Sequence, residues 1–120
     1  MDALGIQSGE IPDAAITASS CYNANSPPYI GRLHFLSAGS GKYGSWISGK
    51  NNLDQWFQVD FGNWTMVHAI GIQGRQDAAQ WVKSYSVTFS YNGIFYETVS
   101  DKNGLKKVRG TEYRNSLSSN

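Results

Sequence analysis

The sequence predicts an all-β fold, and three observations lead to that prediction. Residues 56–61 and 84–91 alternate between apolar or aromatic side chains and polar ones. A period of two places every second residue of a strand on the same face. The chain is rich in glycine and aromatic residues, with 13 Gly, 7 Tyr and 4 Trp, and only 16% of its residues are charged. This composition is typical of β-proteins, and 120 residues are enough for one domain with its own core.

The strand at residues 56–61 is predicted to form the centre of the fold together with the apolar stretch 66–72. Gly62-Asn63 breaks the chain between them, as a tight turn does. Both runs are short and rich in β-forming residues, which argues against helices. We therefore expect two strands joined by a turn, with flanking strands packed on them.

A hairpin is predicted further along the chain. Residues 84–91 form the most regular alternating run, and residues 94–99 return as its partner strand. The Asn92-Gly93 pair between them is the strongest short-range hairpin signal. The alternation places Thr88 on the solvent face of its strand. A further short strand is expected at residues 16–20.

The glycines at 39, 41 and 44 match the pattern G-x-G-x-x-G of dinucleotide-binding sites. That pattern binds a pyrophosphate only where a strand precedes it and a helix follows it. No helical periodicity follows here, and the P-loop-like stretch 44–51 ends in Asn51, where a Ser or Thr must ligate magnesium. We interpret these residues as turn glycines and expect no nucleotide cofactor.

Charge and hydropathy argue against several classes of protein. A net charge of +1 gives no basic surface for nucleic acid. No apolar run approaches the 18 residues of a transmembrane helix, and residues 1–20 lack the apolar region of a signal peptide. The single cysteine, Cys21, excludes a disulfide within the chain.

Residues for catalysis are scarce. His34 and His68 lie far apart and in no metal-ligand spacing, so no metal ligands are identified. Cys21 has no neighbouring His or Lys that would lower the pKa of its thiol. We therefore expect a protein that is not an enzyme and that needs no cofactor.

One modification motif is present. Asn63-Trp64-Thr65 has the N-x-[ST] pattern of an N-glycosylation site and falls on the predicted turn. The motif acts only in a secreted chain, so its meaning depends on where the protein resides.

Several separated segments, in the right order, resemble the discoidin domains, also called coagulation factor 5/8 type C domains. The resemblance covers roughly residues 4–110 and rests on Leu4–Gly9, Ile11–Asp13, Ile16–Ser20, Gly31–Leu33, Gln55–Phe61, Ile72–Arg75 and Val82–Tyr85. It implies a jelly-roll β-sandwich or distorted barrel, in agreement with the strands and turns predicted above.

The resemblance also implies a secreted or cell-surface module for ligand binding and adhesion. Members of the family bind proteins such as collagen, cell-surface glycans or anionic phospholipid headgroups through loops at one end of the barrel. By position, those loops are residues 21–30, 37–45 and 75–81. The candidate binding residues on them are Tyr22, Asn23, Asn25, Tyr29, Lys42, Tyr43, Arg75 and Asp77.

Alternatives are open for the site and for the function. Arg75 matches a binding arginine of the family's collagen receptors, but it could instead form a salt bridge to Asp77 or Asp54 that fixes the shape of its loop. The first loop offers few apolar wedges for a lipid surface. The alternative function is that of a carbohydrate-binding, lectin-like accessory domain of a carbohydrate-active enzyme.

The sequence departs from the family in two ways. The cysteine that members carry near each end is absent, and nothing after Arg109 resembles the family's closing strands. We expect a discoidin-like domain at residues 1–110 that is incomplete at its C-terminus, followed by a disordered polar tail at residues 111–120.

Overall fold

The computed structural model describes residues 3–67, 70–98, 108–109, 112–113 and 116–118 of the chain. Its elements are short strands, and its helices are two 3-10 turns, so the predicted all-β class is confirmed. The 3-10 helices span Asp13–Ala15 and Pro28–Ile30. The strands are β1 Ile16–Ala18, β2 Phe57–Val59, β3 Met66–Val67, β4 Trp81–Ser84, β5 Thr88–Phe89, β6 Glu97–Thr98, β7 Val108–Arg109, β8 Glu112–Tyr113 and β9 Ser116–Ser118. In these ranges no helix has the length and apolar character needed to cross a membrane.

Strand β2 is the middle strand of its sheet. It pairs antiparallel with β1 on one edge, where Ile16 faces Val59, and antiparallel with β8 on the other. The expected pairing of residues 56–61 with 66–72 is wrong, because β3 pairs with β7 instead. Both hydrogen-bonding edges of β2 are occupied, so the chain leaves this sheet at the Gly62-Asn63 turn.

The alternation in β2 builds the core. Phe57 and Val59 are buried, while Gln58 between them is only half-buried, which confirms the predicted inner face. Ile16 of β1 and Trp46 complete the side of the core around them. The Trp46 and Phe57 rings lie with their centroids 5.3 Å apart, and the Trp46 Nε1–H donates to the Ser20 carbonyl at 2.8 Å.

The predicted hairpin pairing is confirmed, since β5 and β6 pair antiparallel on either side of Asn92-Gly93. The paired strands are shorter than the predicted runs 84–91 and 94–99, because residues 90–96 form the connection between them. The side-chain oxygen of Asn92 accepts the backbone N–H groups of Ile94 and Phe95 at 2.9 and 3.0 Å. Asn92 thus closes the turn as its short polar side chain favours.

The predicted faces of β5 are wrong at Thr88. Both residues of β5 are buried, and Thr88 is only 9% exposed. Strand β5 pairs with β6 and also lies against β8, so it is covered where a solvent face was expected. Alternation marks a face only where one side of a strand meets water.

The C-terminal residues were expected to form a disordered tail. Instead, residues 112–113 and 116–118 form β8 and β9, which pair with β2 and β4. Strands at a sheet edge are held by backbone hydrogen bonds, which need no apolar pattern in the sequence. The polar composition of these residues therefore did not predict them as strands. The other residues of 111–120 lie outside the described ranges.

Gly31 gives a test of the core. Its φ is −70°, a conformation open to any residue, but a Cβ there would lie 2.6 Å from the Phe57 Cε2 atom. We expect Gly31→Ala to lower the free energy of unfolding by about 1–3 kcal/mol, as overpacking does. Urea denaturation measures the change.

The matched control is Gly71→Ala, because a Cβ at Gly71 meets no atom of the described residues within 4 Å. We expect it to change the free energy of unfolding by no more than about 0.5 kcal/mol. Equal stabilities of the two variants would show that Gly31 is not packed against Phe57 in solution.

Thr88 gives a second test. Its buried hydroxyl has no hydrogen-bond partner among the described residues. An unpaired buried hydroxyl costs about 1–3 kcal/mol, so the nearly isosteric Thr88→Val should leave the protein equally or more stable. A melting temperature well below that of the parent would mean that the hydroxyl is paired after all.

Candidate functional site

The antiparallel β1–β2 pair anchors the first predicted loop. Ser19 and Ser20, which follow β1, donate their hydroxyl groups to the Gln55 side-chain oxygen at 2.9 and 2.6 Å, just before β2 begins. The Tyr22 N–H then donates to the Ile47 carbonyl at 2.8 Å. Residues 21–30 therefore leave the sheet at a fixed point.

The first and second loops are joined through asparagines. The Asn25 carbonyl accepts the Tyr43 N–H at 2.8 Å, and the Asn23 Nδ2 donates to the Tyr43 hydroxyl at 3.1 Å. Asn23 also accepts the Asn25 N–H at 2.8 Å, which closes an Asx turn. Tyr43 thus lies between the two loops and is held at its backbone and at its ring hydroxyl.

The second and third loops are joined at Gly44. Its N–H donates to the Asp77 Oδ1 at 2.9 Å, and its carbonyl accepts the Gln76 N–H at 3.2 Å. A Cβ at Gly44 would collide with Asp77, so this position requires glycine. Gly39 and Gly41 have φ values of +76° and +72°. The three glycines of the nucleotide-like pattern therefore serve turns and a close contact.

Arg75 organises the third loop. Its Nε donates to the Asp77 Oδ1 at 2.5 Å and its Nη2 to the Oδ2 at 3.3 Å, while its Nη1 donates to the Gln80 side-chain oxygen at 2.8 Å. The guanidinium carbon also lies 4.9 Å from the centre of the Tyr43 ring. The Arg75 side chain is only 16% exposed. The sequence left two roles open for Arg75, binding a ligand or fixing the shape of its loop. These contacts correspond to the second role.

The electrostatics of the third loop centre on one carboxylate. The hydrogen bond from Arg75 is the largest cause that lowers the pKa of Asp77 below its usual value, and the Gly44 N–H adds to it, whereas burial acts in the opposite direction. Asp77 therefore stays ionised and balances the charge of Arg75. The Arg75–Asp77 pair therefore adds little net charge to this surface. It holds the guanidinium group in a fixed position against the Tyr43 ring.

Tyr22 supplies the exposed part of the site. Its side chain is 63% exposed, and its ring centroid lies 6.4 Å from that of Tyr43. We call this surface the loop face and define it by the six predicted residues that the structure brings together: Tyr22, Asn23, Asn25, Tyr43, Arg75 and Asp77.

Two predicted site residues stand apart from these contacts. Tyr29 lies in the 3-10 helix Pro28–Ile30, which packs beside β1, and its side chain is half-buried. Lys42 is half-buried next to Tyr43, and no carboxylate of the described ranges forms an ion pair with its ammonium. Tyr29 therefore takes a packing position, whereas Lys42 borders the loop face.

Two glutamines of the third loop were missed by the sequence reasoning. Gln80 accepts from Arg75, and Arg75 in turn donates its N–H to the Gln80 carbonyl at 2.8 Å. Gln76 accepts the Ser37 N–H at 3.0 Å and so ties the second loop to the third. No sequence pattern marks either residue, because an amide in a polar loop is common.

The described residues contain no group of three His, Cys, Asp or Glu side chains placed to hold a metal ion. Cys21 is exposed as a free thiol at the start of the first loop. Asn63 is exposed on the turn after β2.

Comparison with known proteins gives the chain's relatives. It is 36% identical over 115 residues to lactadherin from Rattus norvegicus, covering 89% of this chain and 26% of that protein. It is 36% identical over 107 residues to neuropilin-1 from Homo sapiens, covering 86% of this chain and 11% of that protein. The chain thus spans about a quarter of the first relative and a smaller share of the second.

A solved structure shows the same fold. The wild-type discoidin II from Dictyostelium discoideum superposes with a TM-score of 0.58 at 23% identity, covering 87% of this chain and 41% of that one. The family model of the F5/8 type C domain matches residues 15–120. Because that model matches most of the sequence, this chain belongs to the F5/8 type C, or discoidin, domain family.

Proposed function

We propose that the chain is a non-enzymatic, extracellular module for ligand binding and adhesion, and that it binds its ligand at the loop face. The observation that carries this proposal is the convergence of the three loops on Tyr43, with the Tyr22 ring left exposed beside it. Binding residues are commonly placed on loops that a rigid scaffold positions. The extracellular location follows from what membership of the family implies.

The loop face is ordered before any ligand arrives. Hydrogen bonds from Asn23, Gly44 and Arg75 fix its parts. A preorganised surface loses less conformational entropy on binding, so more of the contact energy appears as affinity. Tyr22 then offers a flat ring with one polar end, suited to an apolar side chain or to a sugar ring.

The small number of available positive charges at the loop face favours a protein or glycan ligand over an anionic phospholipid headgroup. The fork of Arg75 already binds Asp77 and Gln80, so it is not free to bind a phosphate. Lys42 is the cation that borders the loop face without such a partner in the described part of the chain. A single lysine contributes only about 1 kcal/mol of attraction to an anionic membrane.

A second candidate function is carbohydrate binding as an accessory domain of a carbohydrate-active enzyme. It is favoured by one feature, the exposed Tyr22 ring next to the side-chain amides of Asn23 and Asn25. Amides donate and accept hydrogen bonds with hydroxyl groups, and a ring packs on the face of a sugar. Binding to a glycan array in preference to collagen would select this candidate.

Tyr22→Ala and Arg75→Ala test the loop face. We expect each to weaken ligand binding by about 1–3 kcal/mol, the range of interface hot spots. Tyr22→Ala removes the exposed ring, whereas Arg75→Ala releases Asp77 and Tyr43 from their fixed positions. The measurement is affinity for collagen, for a glycan array and for phosphatidylserine vesicles, with circular dichroism to verify the fold.

Thr17→Ala is the control, because Thr17 is exposed in β1 and lies outside the loop face. It should bind like the parent. If both loop variants stay folded and bind as tightly as the parent, the ligand binds elsewhere.

The pKa of Asp77 allows us to predict how ligand binding depends on pH. Its pKa in the folded protein is lowered from the usual 3.8, mainly by Arg75. The ionised carboxylate holds Arg75 and the third loop in place. Its stabilisation of the loop is therefore present above about pH 4, the range where an unfolded Asp is ionised, and is lost as the pH falls through the lowered pKa. We expect affinity to be insensitive to Asp77 between neutral pH and pH 5 and to fall only in stronger acid.

Asp77→Asn removes the charge at every pH, so we expect it to weaken binding already at neutral pH. Asp54→Asn is the matched control, since Asp54 is the exposed carboxylate that sequence alone left as the other partner of Arg75. Titration calorimetry of the parent and both variants compares them. A loss of affinity in Asp54→Asn alone would contradict the assignment of Asp77.

A further inference from the structure

The sequence contains a single N-x-[ST] triplet, Asn63-Trp64-Thr65. The structure places it on the turn between β2 and β3, directly after Gly62, whose N–H donates to the Asp60 Oδ1 at 2.8 Å. Asn63 and Trp64 are exposed, and Thr65 is half-buried. An acceptor asparagine must reach the transferase from outside the fold, and an exposed turn allows this.

The local hydrogen bonds leave the acceptor side chain accessible. The Thr65 hydroxyl donates to the Asn63 backbone carbonyl at 3.0 Å, which fixes the turn without engaging the Asn63 amide. That side-chain amide makes no hydrogen bond to any residue of the described ranges. The Asn63 Nδ2 is therefore accessible to a transferase from the solvent side.

An aromatic surface adjoins the triplet. The rings of Trp64 and Tyr91 are stacked, with centroids 4.8 Å apart and planes at 24°, although the two residues are 69% and 55% exposed. Phe89 supports Tyr91 from its edge at 5.4 Å. We call the Trp64–Tyr91 pair the aromatic shelf. A wide, flat and exposed aromatic surface fits the apolar face of a sugar ring.

The topology separates this turn from the loop face. Strands β1 and β2 are antiparallel, and the Ser19 N–H donates to the Trp56 carbonyl at the end of β1 where the first loop begins. At the other end the Asp60 N–H donates to the Ala15 carbonyl. The turn that carries Asn63 follows Asp60, so it leaves the β1–β2 pair at the end opposite to the loop face.

We propose that Asn63 carries an N-linked glycan at this end of the fold, and that its first sugars pack on the aromatic shelf. In the transfer, the Asn63 Nδ2 forms a bond to the anomeric carbon of an oligosaccharide held on a lipid diphosphate. The carbon–oxygen bond to the diphosphate breaks, the lipid diphosphate leaves with the bond's electron pair, and the Asn63 nitrogen loses one proton. The chain is the acceptor substrate of a host transferase.

This modification goes beyond ligand binding and complements it. A glycan at the far end covers two exposed aromatic rings that would otherwise promote association with other chains. The loop face stays unobstructed, because the glycan lies at the other end of β1 and β2.

The first experiment tests the attachment. The chain is expressed with a cleavable leader in a eukaryotic secretory host, and its intact mass is measured before and after treatment with an enzyme that cleaves N-glycans from asparagine. The parent and Thr65→Ser should lose one glycan, with Asn63 converted to Asp. Asn63→Gln and Thr65→Ala should show no change. Secreted, folded parent protein without a glycan would overturn the proposal.

A second measurement does not depend on folding or export. Translation of the same variants in the presence of microsomal membranes should give one glycosylated species for the parent and none for Asn63→Gln. An unmodified, membrane-protected parent chain would overturn the proposal in this assay as well.

The packing on the aromatic shelf has its own test. Removal of the glycan should lower the melting temperature of the parent by roughly 4 °C. In Tyr91→Ser, which keeps the triplet but removes half of the shelf, the same treatment should have a much smaller effect. Equal shifts in the two proteins would show that the sugars do not pack there.

Asn63→Gln separates this inference from the proposed function. It should bind collagen, glycans or vesicles like the parent. Glycosylated protein whose loop-face variants bind normally would refute the proposed binding site and leave the glycan in place.

Discussion

The antiparallel pairing of β1 with β2 is the constraint on which the other features depend. It buries Ile16, Phe57 and Val59 together, and burial of such side chains contributes roughly 1.5–3 kcal/mol each. The pairing also fixes where the chain enters the first loop and where it turns at Asn63. Strand β8 occupies the second edge of β2, so this strand accepts no further partner, and the other described strands form separate two-stranded sheets.

The loop face is built on that frame by neutral contacts around one balanced ion pair. Asp77 binds Arg75 and the Gly44 N–H together, so two loops share a single carboxylate. A partly exposed ion pair alone contributes little to stability. The ion pair serves instead to position side chains. It fixes Arg75 against the Tyr43 ring, and Asn23 of the first loop binds the hydroxyl of that ring.

The sequence predicted those parts of the fold that depend on local chemistry. The alternation at Phe57 and Val59 and the Asn92-Gly93 turn were confirmed because periodicity and turn chemistry act over a few residues. The predicted partner of β3 and the predicted exposure of Thr88 were wrong. Both depend on which distant strand covers each edge and face of the sheet. No spacing along the chain encodes that choice.

The candidate site divides in the same way. The family resemblance indicated which loops to consider, and the alternative of an Arg75–Asp77 ion pair followed from residues two positions apart. Gln80 and the contact at Gly44 could not be predicted, because a hydrogen bond between loops distant in sequence leaves no local signal. Tyr22 and Tyr29 are the same residue type, and the sequence does not show that Tyr29 lies half-buried in a 3-10 helix while Tyr22 is exposed.

Trp46 connects the hydrophobic core to the first loop. Its ring packs on Phe57 in the interior, and its indole N–H donates to the carbonyl of Ser20, one residue before that loop begins. A shift of the loop would therefore change the polarity around a buried indole. Displacement of the first loop would leave the buried Trp46 N–H without its acceptor, so this contact ties the position of the loop to the core.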